Sequence, residues 1–271
     1  MESFTEVASQ IARQAGAKIL EIGRKGPGFE LKGVFDLVTE ADRSSEAMIL
    51  AELIRRYPTH SIVGEEGGSH AGTSEYRWFV DPLDGTTNFA HGFPVYNVSI
   101  GLQRGDELIA GIIYDPTRDE MFSAERGAGA FLNGQRIRVT PTVKLAESLV
   151  ATGFPSRKRH QNINIHFYYQ LAMLTHGVRR AGAAAMDLAY VACGRLDAFW
   201  EFALNPWDMA AGVLLVREAG GTVTDMRGKA FDLHGTNILA DNTQVHEEIV
   251  ELFAEVYRGE VRVPLPQIAP I

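Results

Sequence analysis

The stretch Trp78-Phe-Val-Asp-Pro-Leu-Asp-Gly-Thr-Thr-Asn-Phe89 sets two carboxylates, Asp81 and Asp84, three residues apart and follows them with a glycine and two hydroxyls. An apolar, strand-like approach ending at Asp81 and a helix beginning at Thr86 would crowd both acids and the next amides into one turn at a strand's carboxyl end. Two carboxylates ~5 Å apart repel by roughly 3 kcal/mol at an effective dielectric constant near 20, so such a cluster is unfavourable without a compensating cation. Hard oxygen ligands select Mg²⁺, Mn²⁺ or Ca²⁺. The N–H groups of Gly85 and Thr86, with no side chain at 85 to obstruct them, are placed to cradle phosphate oxygens. Metal plus phosphate points to phosphoryl-ester chemistry. A lone Asp-Gly is more often a hairpin turn and a lone Asp a helix cap. A calcium loop of the EF-hand type is disfavoured, because Leu83 and Thr86 stand where it needs Asp or Asn and Gly.

The elements that must position these residues are mixed and interleaved. Phe4, Val7, Ile11, Ala15, Ile19 and Ile22 recur at helical spacing, which predicts an amphipathic helix over 3–23. A second helix is expected after Asp42, with Met48, Ile49, Leu53, Ile54 and Tyr57 on its apolar face and Pro58 ending it, followed by short buried strands at 61–66 and 77–81. Residues 97–139 alternate strand-like stretches with Gly, Pro and Asn133-Gly134 turn signals and read as an antiparallel meander. Beyond it, helices are expected at 160–175, 182–193, 207–221 and 245–257, with strands at 195–202 and 237–242. The segment 263–271 carries three prolines and reads as an extended tail without chemistry.

With 271 residues, 45% hydrophobic and 22% charged, the chain has the composition of a globular protein able to build a sizeable core. A net charge of −8 argues against coating nucleic acid or anionic membrane and suits cation binding. No apolar run approaches the ~20 residues of a membrane span. The N-terminus lacks the pattern of a secretory signal, and the single Cys193 reads as a small core residue, so a cytoplasmic location is expected. Gly67-Gly-Ser-His-Ala-Gly72 misses the nucleophile-elbow spacing by one residue, and there is no nucleotide-binding P-loop and no His-Glu-x-x-His. His91 reads as a polar neighbour of the site, and the basic run Arg157–His160 as weak evidence for RNA. The apolar-rich segment 163–174 fits a dimer surface or core.

Four segments together resemble the inositol monophosphatase family of metal-dependent, lithium-sensitive phosphatases: Asp36-Leu-Val-Thr-Glu-Ala-Asp42, Gly64-Glu65-Glu66, Asp81 to Phe89, and Trp207-Asp208-Met-Ala-Ala-Gly with Gly220-Gly221. Their order and spacing match over about residues 1–257. The resemblance implies a layered α/β fold, an alternating α-β-α-β-α sandwich, as one domain over 1–262 with halves of about 1–145 and 146–262. It implies that Glu65, Asp81 and the Leu83 carbonyl hold one Mg²⁺, that Asp81, Asp84 and Asp208 hold a second, and that a third, weaker metal leans on Glu65. Mn²⁺ would substitute, and Ca²⁺ and Li⁺ would inhibit. Thr86, supported by Asp42, resembles the pair that orients and deprotonates the attacking water. Mg²⁺ acidifies its waters weakly, so a positioned base has a physical purpose.

Substrate contacts follow in the same way. Ala184 and Glu201 resemble the residues that read polyol hydroxyls, and Asp84, Gly85, Thr86 and Asp208 would touch the phosphate ester. Ala183 departs from the Thr or Ser of many relatives, and Lys32 stands near the family's lysine in a loop one residue shorter. The implied reaction is hydrolysis of a phosphate monoester by in-line attack of water, with inositol-1-phosphate as the substrate and a homodimer as the assembly. Fructose 1,6-bisphosphate, 3′-phosphoadenosine 5′-phosphate and histidinol phosphate are the alternatives on the same scaffold. Partnership with the transcription machinery is the alternative of another kind.

Overall fold

The computed structural model describes residues 2–26, 28–32, 37–154 and 162–267. Asp36, the basic run at 157–160 and the end of the tail lie outside them. Ser3 caps α1 (Phe4–Arg24) through a reciprocal pair with Glu6, and Val7, Ile11, Ala15, Ile19 and Ile22 form its buried face as the periodicity predicts. After β1 (Phe29–Leu31) and β2 (Leu37–Thr39), α2 (Glu40–Arg56) begins two residues before Asp42, because Thr39 is its N-cap and Asp42 its third residue. Then come β3 (Ser61–Gly64), β4 (Ser69–His70), β5 (Tyr76–Asp84) and the short α3 (Thr86–Ala90). The expected meander is β6 (Asn97–Arg104), β7 (Glu107–Asp115), β8 (Glu120–Glu125), β9 (Gly129–Leu132) and β10 (Gln135–Arg136).

Among the described residues these strands build an eight-stranded sheet in the order β10-β9-β8-β7-β6-β5-β3-β4, antiparallel except where β3 runs parallel to β5. The rest of the chain supplies β11 (Leu149–Thr152), α4 (Asn164–Leu174), β12 (Gly177–Arg179), α5 (Ala184–Ala192), β13 (Ala198–Phe202), α6 (Pro206–Glu218), β14 (Thr222–Thr224), β15 (Asn237–Asp241) and α7 (His246–Tyr257). A five-stranded sheet runs β12-β11-β13-β15-β14, with β11 parallel to β12 and β13.

Three apolar clusters fill the four interfaces between five layers, the central one lying on both sides of α5 and α6. Ile11, Ile19, Ile49 and Leu53 of α1 and α2 pack on Trp78, Ile100 and Ile112 of the large sheet. Its other face meets α5 and α6 through Phe79, Ile113, Met186, Leu188 and Leu215, and the same helices cover Phe199 and Ile238 of the small sheet. Phe167, Leu171 and Phe253 of α4 and α7 close the far side over Trp200 and Leu239. The architecture is the alternating α-β-α-β-α sandwich. Helix α6 lies against the backbone of β6 and β7: a Cβ added at Gly101 would come within 2.6 Å of the Ala210 Cβ, and one at Gly111 within 2.8 Å of the Ala211 carbonyl oxygen. Those two glycines let the helix approach this closely, and the approach sets where Asp208 emerges.

Cys193 is half-buried at the C-terminal end of α5 and packs against the central core. The segment 163–174 divides its apolar residues, burying Phe167 and Leu171 while Ile165 and Met173 stay exposed. The start of the tail is tied to α4, with Gln170 Oε1 accepting from Arg262 and Val263 N–H and Tyr169 Oη donating to the Pro264 carbonyl.

His60 is buried between Tyr57 and Tyr76, with ring centroids 4.8 and 4.5 Å away, and its Nδ1 accepts from Trp78 Nε1 at 3.1 Å. Burial holds this imidazole below its ordinary value. As pH falls below that value the unfolded chain takes up the proton first, so stability contributed here is present above roughly 6.5 and lost as pH drops towards the folded value. His60→Phe strands the indole N–H and is expected to cost about 1–3 kcal/mol at pH 8. The gap to the parent narrows at pH 5.5, where the parent loses stability and the variant does not. Urea unfolding at both pH values checks this, and equal gaps would refute it.

Candidate active site

Regular strand geometry sends residues i and i+3 to opposite faces, so Asp81 and Asp84 should diverge. They do not, because β5 carries an irregularity: Asp81 pairs with Ser99 and Asp84 with Asn97, three steps along β5 against two along β6. The extra residue falls at Pro82 or Leu83 and returns Asp84 to the face of Asp81. Asp81 is buried and its Oδ1 accepts from the Leu83 N–H at 3.0 Å. Opposite it, Ser99 Oγ donates to the Trp207 carbonyl at 3.3 Å, which ties the start of α6, and so Asp208, to the end of β5. Asn97 Nδ2 donates to Asp84 Oδ2 at 2.8 Å.

Asp84 also takes the place of a cap for α5. Ala183, at the N-cap, makes no side-chain hydrogen bond, and the Ala185 N–H instead donates to Asp84 Oδ2 at 2.9 Å. The cap that Ala183 does not supply comes from this carboxylate, 101 residues before Ala185 in sequence. Burial pushes Asp84 up to about 6, against the pull of Asn97 and the amides of Ala184, Ala185 and Met186.

Glu65 follows the end of β3, where its N–H donates to the Val80 carbonyl at 3.1 Å and sets it beside Asp81. Burial, and then the charge of Asp208, raise its carboxyl to about 8, and it shares a hydrogen bond with Asp81. Asp81 is held well above the ordinary carboxylate range by burial, then by Glu65, Asp84 and Asp208. Asp208 occupies the third position of α6, where its Oδ2 accepts from the Asn205 N–H at 2.7 Å. It is a first-turn acid and a member of the acidic cluster at once.

Asp42 divides its two oxygens between two tasks. Oδ2 accepts from the Thr39 N–H at 2.7 Å and the Thr39 hydroxyl at 2.5 Å, completing the cap of α2, while Oδ1 accepts from Thr86 Oγ1 at 2.8 Å. Burial raises this carboxyl against the pull of those hydroxyls. The Thr86 hydroxyl also lies 3.1 Å from the Leu83 carbonyl. Gly85 reaches φ 92°, and a Cβ there would meet the Val95 carbonyl oxygen at 2.8 Å, so glycine is required at this turn.

The sequence-predicted residues thus converge. Glu65, Asp84 and Asp208 all raise the Asp81 carboxyl, Thr86 meets Asp42, and Ala184 opens α5 beside Asp84. Glu201 is buried on β13 and held well above the ordinary range by burial, then by Asp187, Asp208 and Asp84. Among the described residues no group of three or more His, Cys, Asp or Glu side chains is drawn into a ready metal-binding set. Asp81, Asp84 and Asp208 instead accept from the internal donors Leu83, Asn97, Ala185 and Asn205. Lys32 pairs with Glu66, the neighbour of Glu65. His91 is exposed at the end of α3.

Three residues escaped the sequence reading. Asn97 holds Asp84, Glu46 holds the loop of Glu65, and Asp187 is buried near Asp84 and Glu201 with its Oδ1 unpartnered. Asp187 had a signal, a charge inside the otherwise apolar Ala-Ala-Met-Asp-Leu-Ala. Asn97 had none, since only strand pairing brings it to Asp84.

A family model for the inositol monophosphatase family matches residues 1–258 of this chain. The chain belongs to the inositol monophosphatase family. It is a phosphatase. It is 45% identical to the inositol-1-monophosphatase of Synechocystis sp. over 257 residues, 94% of this chain and 90% of that protein. Nus factor SuhB of Pseudomonas aeruginosa is also 45% identical, over 92% of this chain and 95% of that one. The solved inositol monophosphatase of Anabaena superimposes with a TM-score of 0.83 at 41% identity, covering 92% of this chain and 94% of its own. The five-layer architecture is therefore that of the inositol monophosphatase family, and the acidic cluster lies at its candidate active site. No described helix is long and apolar enough to cross a membrane.

Proposed function

We propose that this chain is a Mg²⁺-dependent inositol-1-phosphate phosphatase acting in the cytoplasm as a single-domain homodimer. The observation that carries the mechanism is the 2.8 Å bond from Thr86 Oγ1 to Asp42 Oδ1 beside the acidic turn. A hydroxyl whose proton is committed to a carboxylate presents its lone pairs outward, so Thr86 is placed to accept from a water and relay the proton to Asp42. Burial, which favours the protonated form of Asp42, supports that direction of transfer.

The donor set fits a hard divalent cation. Glu65, Asp81, Asp84, Asp208 and the Leu83 carbonyl offer only oxygens, and their mutual repulsion is what a bound cation offsets. Two or three Mg²⁺ would be held there, and when bound they supply Lewis-acid stabilisation of the phosphate and the leaving oxygen. Asp84, Gly85 and Thr86 orient the ester from the turn, with the Gly85 and Thr86 amides towards its phosphate. Ala184 and Glu201 meet the polyol. Glu201, ringed by other acids, accepts hydrogen bonds from vicinal hydroxyls and rejects a leaving group that lacks them.

Glu201→Gln is therefore expected to lower kcat/KM on inositol-1-phosphate about tenfold more than on glycerol 2-phosphate; steady-state kinetics on both esters would show it, and equal losses would remove Glu201 from the polyol reader's role. The deciding experiment is phosphate release with Mg²⁺, with and without Li⁺, across inositol-1-phosphate, fructose 1,6-bisphosphate, 3′-phosphoadenosine 5′-phosphate and histidinol phosphate. Lithium-sensitive preference for the first is expected and should vanish with a chelator. Preference for another ester overturns the substrate, and activity in the presence of chelator overturns the metal. Light scattering tests the homodimer, for which α4 offers the exposed Ile165 and Met173.

The similarity to Nus factor SuhB carries a second reading, a non-catalytic role beside the transcription machinery. It is favoured if substituting Asp81 and Asp84 leaves a cellular phenotype intact while neutralising residues 157–159 abolishes it.

A further inference from the structure

Glu46 sits one helical turn beyond Asp42 on the buried face of α2, and it is 5% exposed. Its Oε2 accepts from the Glu66 N–H and its Oε1 from the Gly68 N–H, each at 2.8 Å. Both oxygens are thus committed to the backbone of the loop that carries Glu65. The same loop is closed by the Gly64 N–H on the Gly68 carbonyl at 2.8 Å and joined to β5 by the Glu65 N–H on the Val80 carbonyl. A Cβ at Gly64 would come within 2.2 Å of Glu46 Oε2, and one at Gly68 within 2.5 Å of Oε1, so the carboxylate fills the space the two glycines leave. The Glu66 side chain turns away to Lys32.

We propose that Glu46 is a positioning residue, a two-oxygen clamp on the 64–68 loop that holds Glu65 towards Asp81 for the divalent cation. The inference rests on the reading of Glu65 as a metal ligand. A Gly-rich loop with Gly67 at φ 92° has many conformations to lose, and hydrogen bonds to an ionised acceptor are about twice as strong as neutral ones. Ordering the loop beforehand removes that cost from cation binding. Glu66 serves twice over: its backbone amide meets the clamp while its side chain takes the Lys32 charge.

Glu46→Gln keeps the size but replaces one acceptor by an NH₂ group that must face an amide N–H. Glu46→Asp keeps the charge but is one methylene too short to serve both amides. For each variant, amide hydrogen exchange across 64–68 and Mg²⁺ affinity by calorimetry are compared with the parent, with Glu52→Gln, whose half-buried side chain pairs with Arg55 on the same helix, as the control. Faster exchange at Glu66 and Gly68 together with about tenfold weaker Mg²⁺ binding is expected, with exchange in α1 and β5 unchanged and kcat recovered at saturating Mg²⁺. Unchanged exchange overturns the clamp. Faster exchange with parental Mg²⁺ affinity overturns the positioning role. A parent that takes up no Mg²⁺ overturns the metal reading itself, and exchange at Glu66 and Gly68 then decides the clamp alone.

Discussion

Asp81→Asn is expected to lower Mg²⁺-dependent kcat/KM by about 10³-fold or more while leaving the metal-free protein as stable as the parent, or more stable. Asp81 is buried with Glu65, Asp84 and Asp208 all raising its carboxyl, so the cluster pays electrostatically for a charge that only a cation justifies. The Asn side chain keeps an oxygen for the Leu83 N–H and removes the charge. The sign of the pH dependence follows. A carboxyl whose folded value is raised binds protons better in the native state, so its contribution erodes as pH rises above the unfolded value of roughly 3.8. The stability advantage of the variant should therefore grow from pH 5 to pH 8. Urea unfolding in chelator and phosphate release in Mg²⁺ give the two readouts, and a markedly less stable metal-free variant would contradict the argument.

Thr86→Val should lower kcat by about 10²- to 10⁴-fold with KM little changed, because it removes one hydroxyl and keeps the shape. Asp42→Asn should do the same for a different reason. Its amide oxygen can still accept from the Thr39 N–H and hydroxyl, which preserves the cap of α2, but its NH₂ then faces Thr86 Oγ1 and reverses that hydrogen bond. The hydroxyl can turn its proton to the Leu83 carbonyl but no longer hands it to a base. If Thr86 and Asp42 act as one unit, the double variant is barely slower than either single one. Multiplicative losses in kcat would show that they act separately.

Much of this was legible because it is local. The helical period of α1 and the turn signals of the meander each lie within a few residues, so the chain announces them. The helix expected after Asp42 begins three residues earlier, at Glu40, because the Asp42 side chain reaches back to cap it at Thr39. The strands β11, β12 and β14 are three or four residues each, too short for a period, and exist because neighbours pair with them.

By itself, the sequence determined which chemical groups are available and their order: four acids, a hydroxyl, a glycine where only glycine fits, and two glycines that let α6 lie on the sheet. Tertiary structure decided how they meet. The irregularity in β5 turns Asp84 onto the face of Asp81, which spacing alone forbids in a regular strand. Pairing with β6 brings Asn97 to Asp84, and packing of α2 brings Glu46 to the loop of Glu65. These contacts join residues far apart in the chain, where register and layer packing set the distance, and neither quantity is written in any single segment.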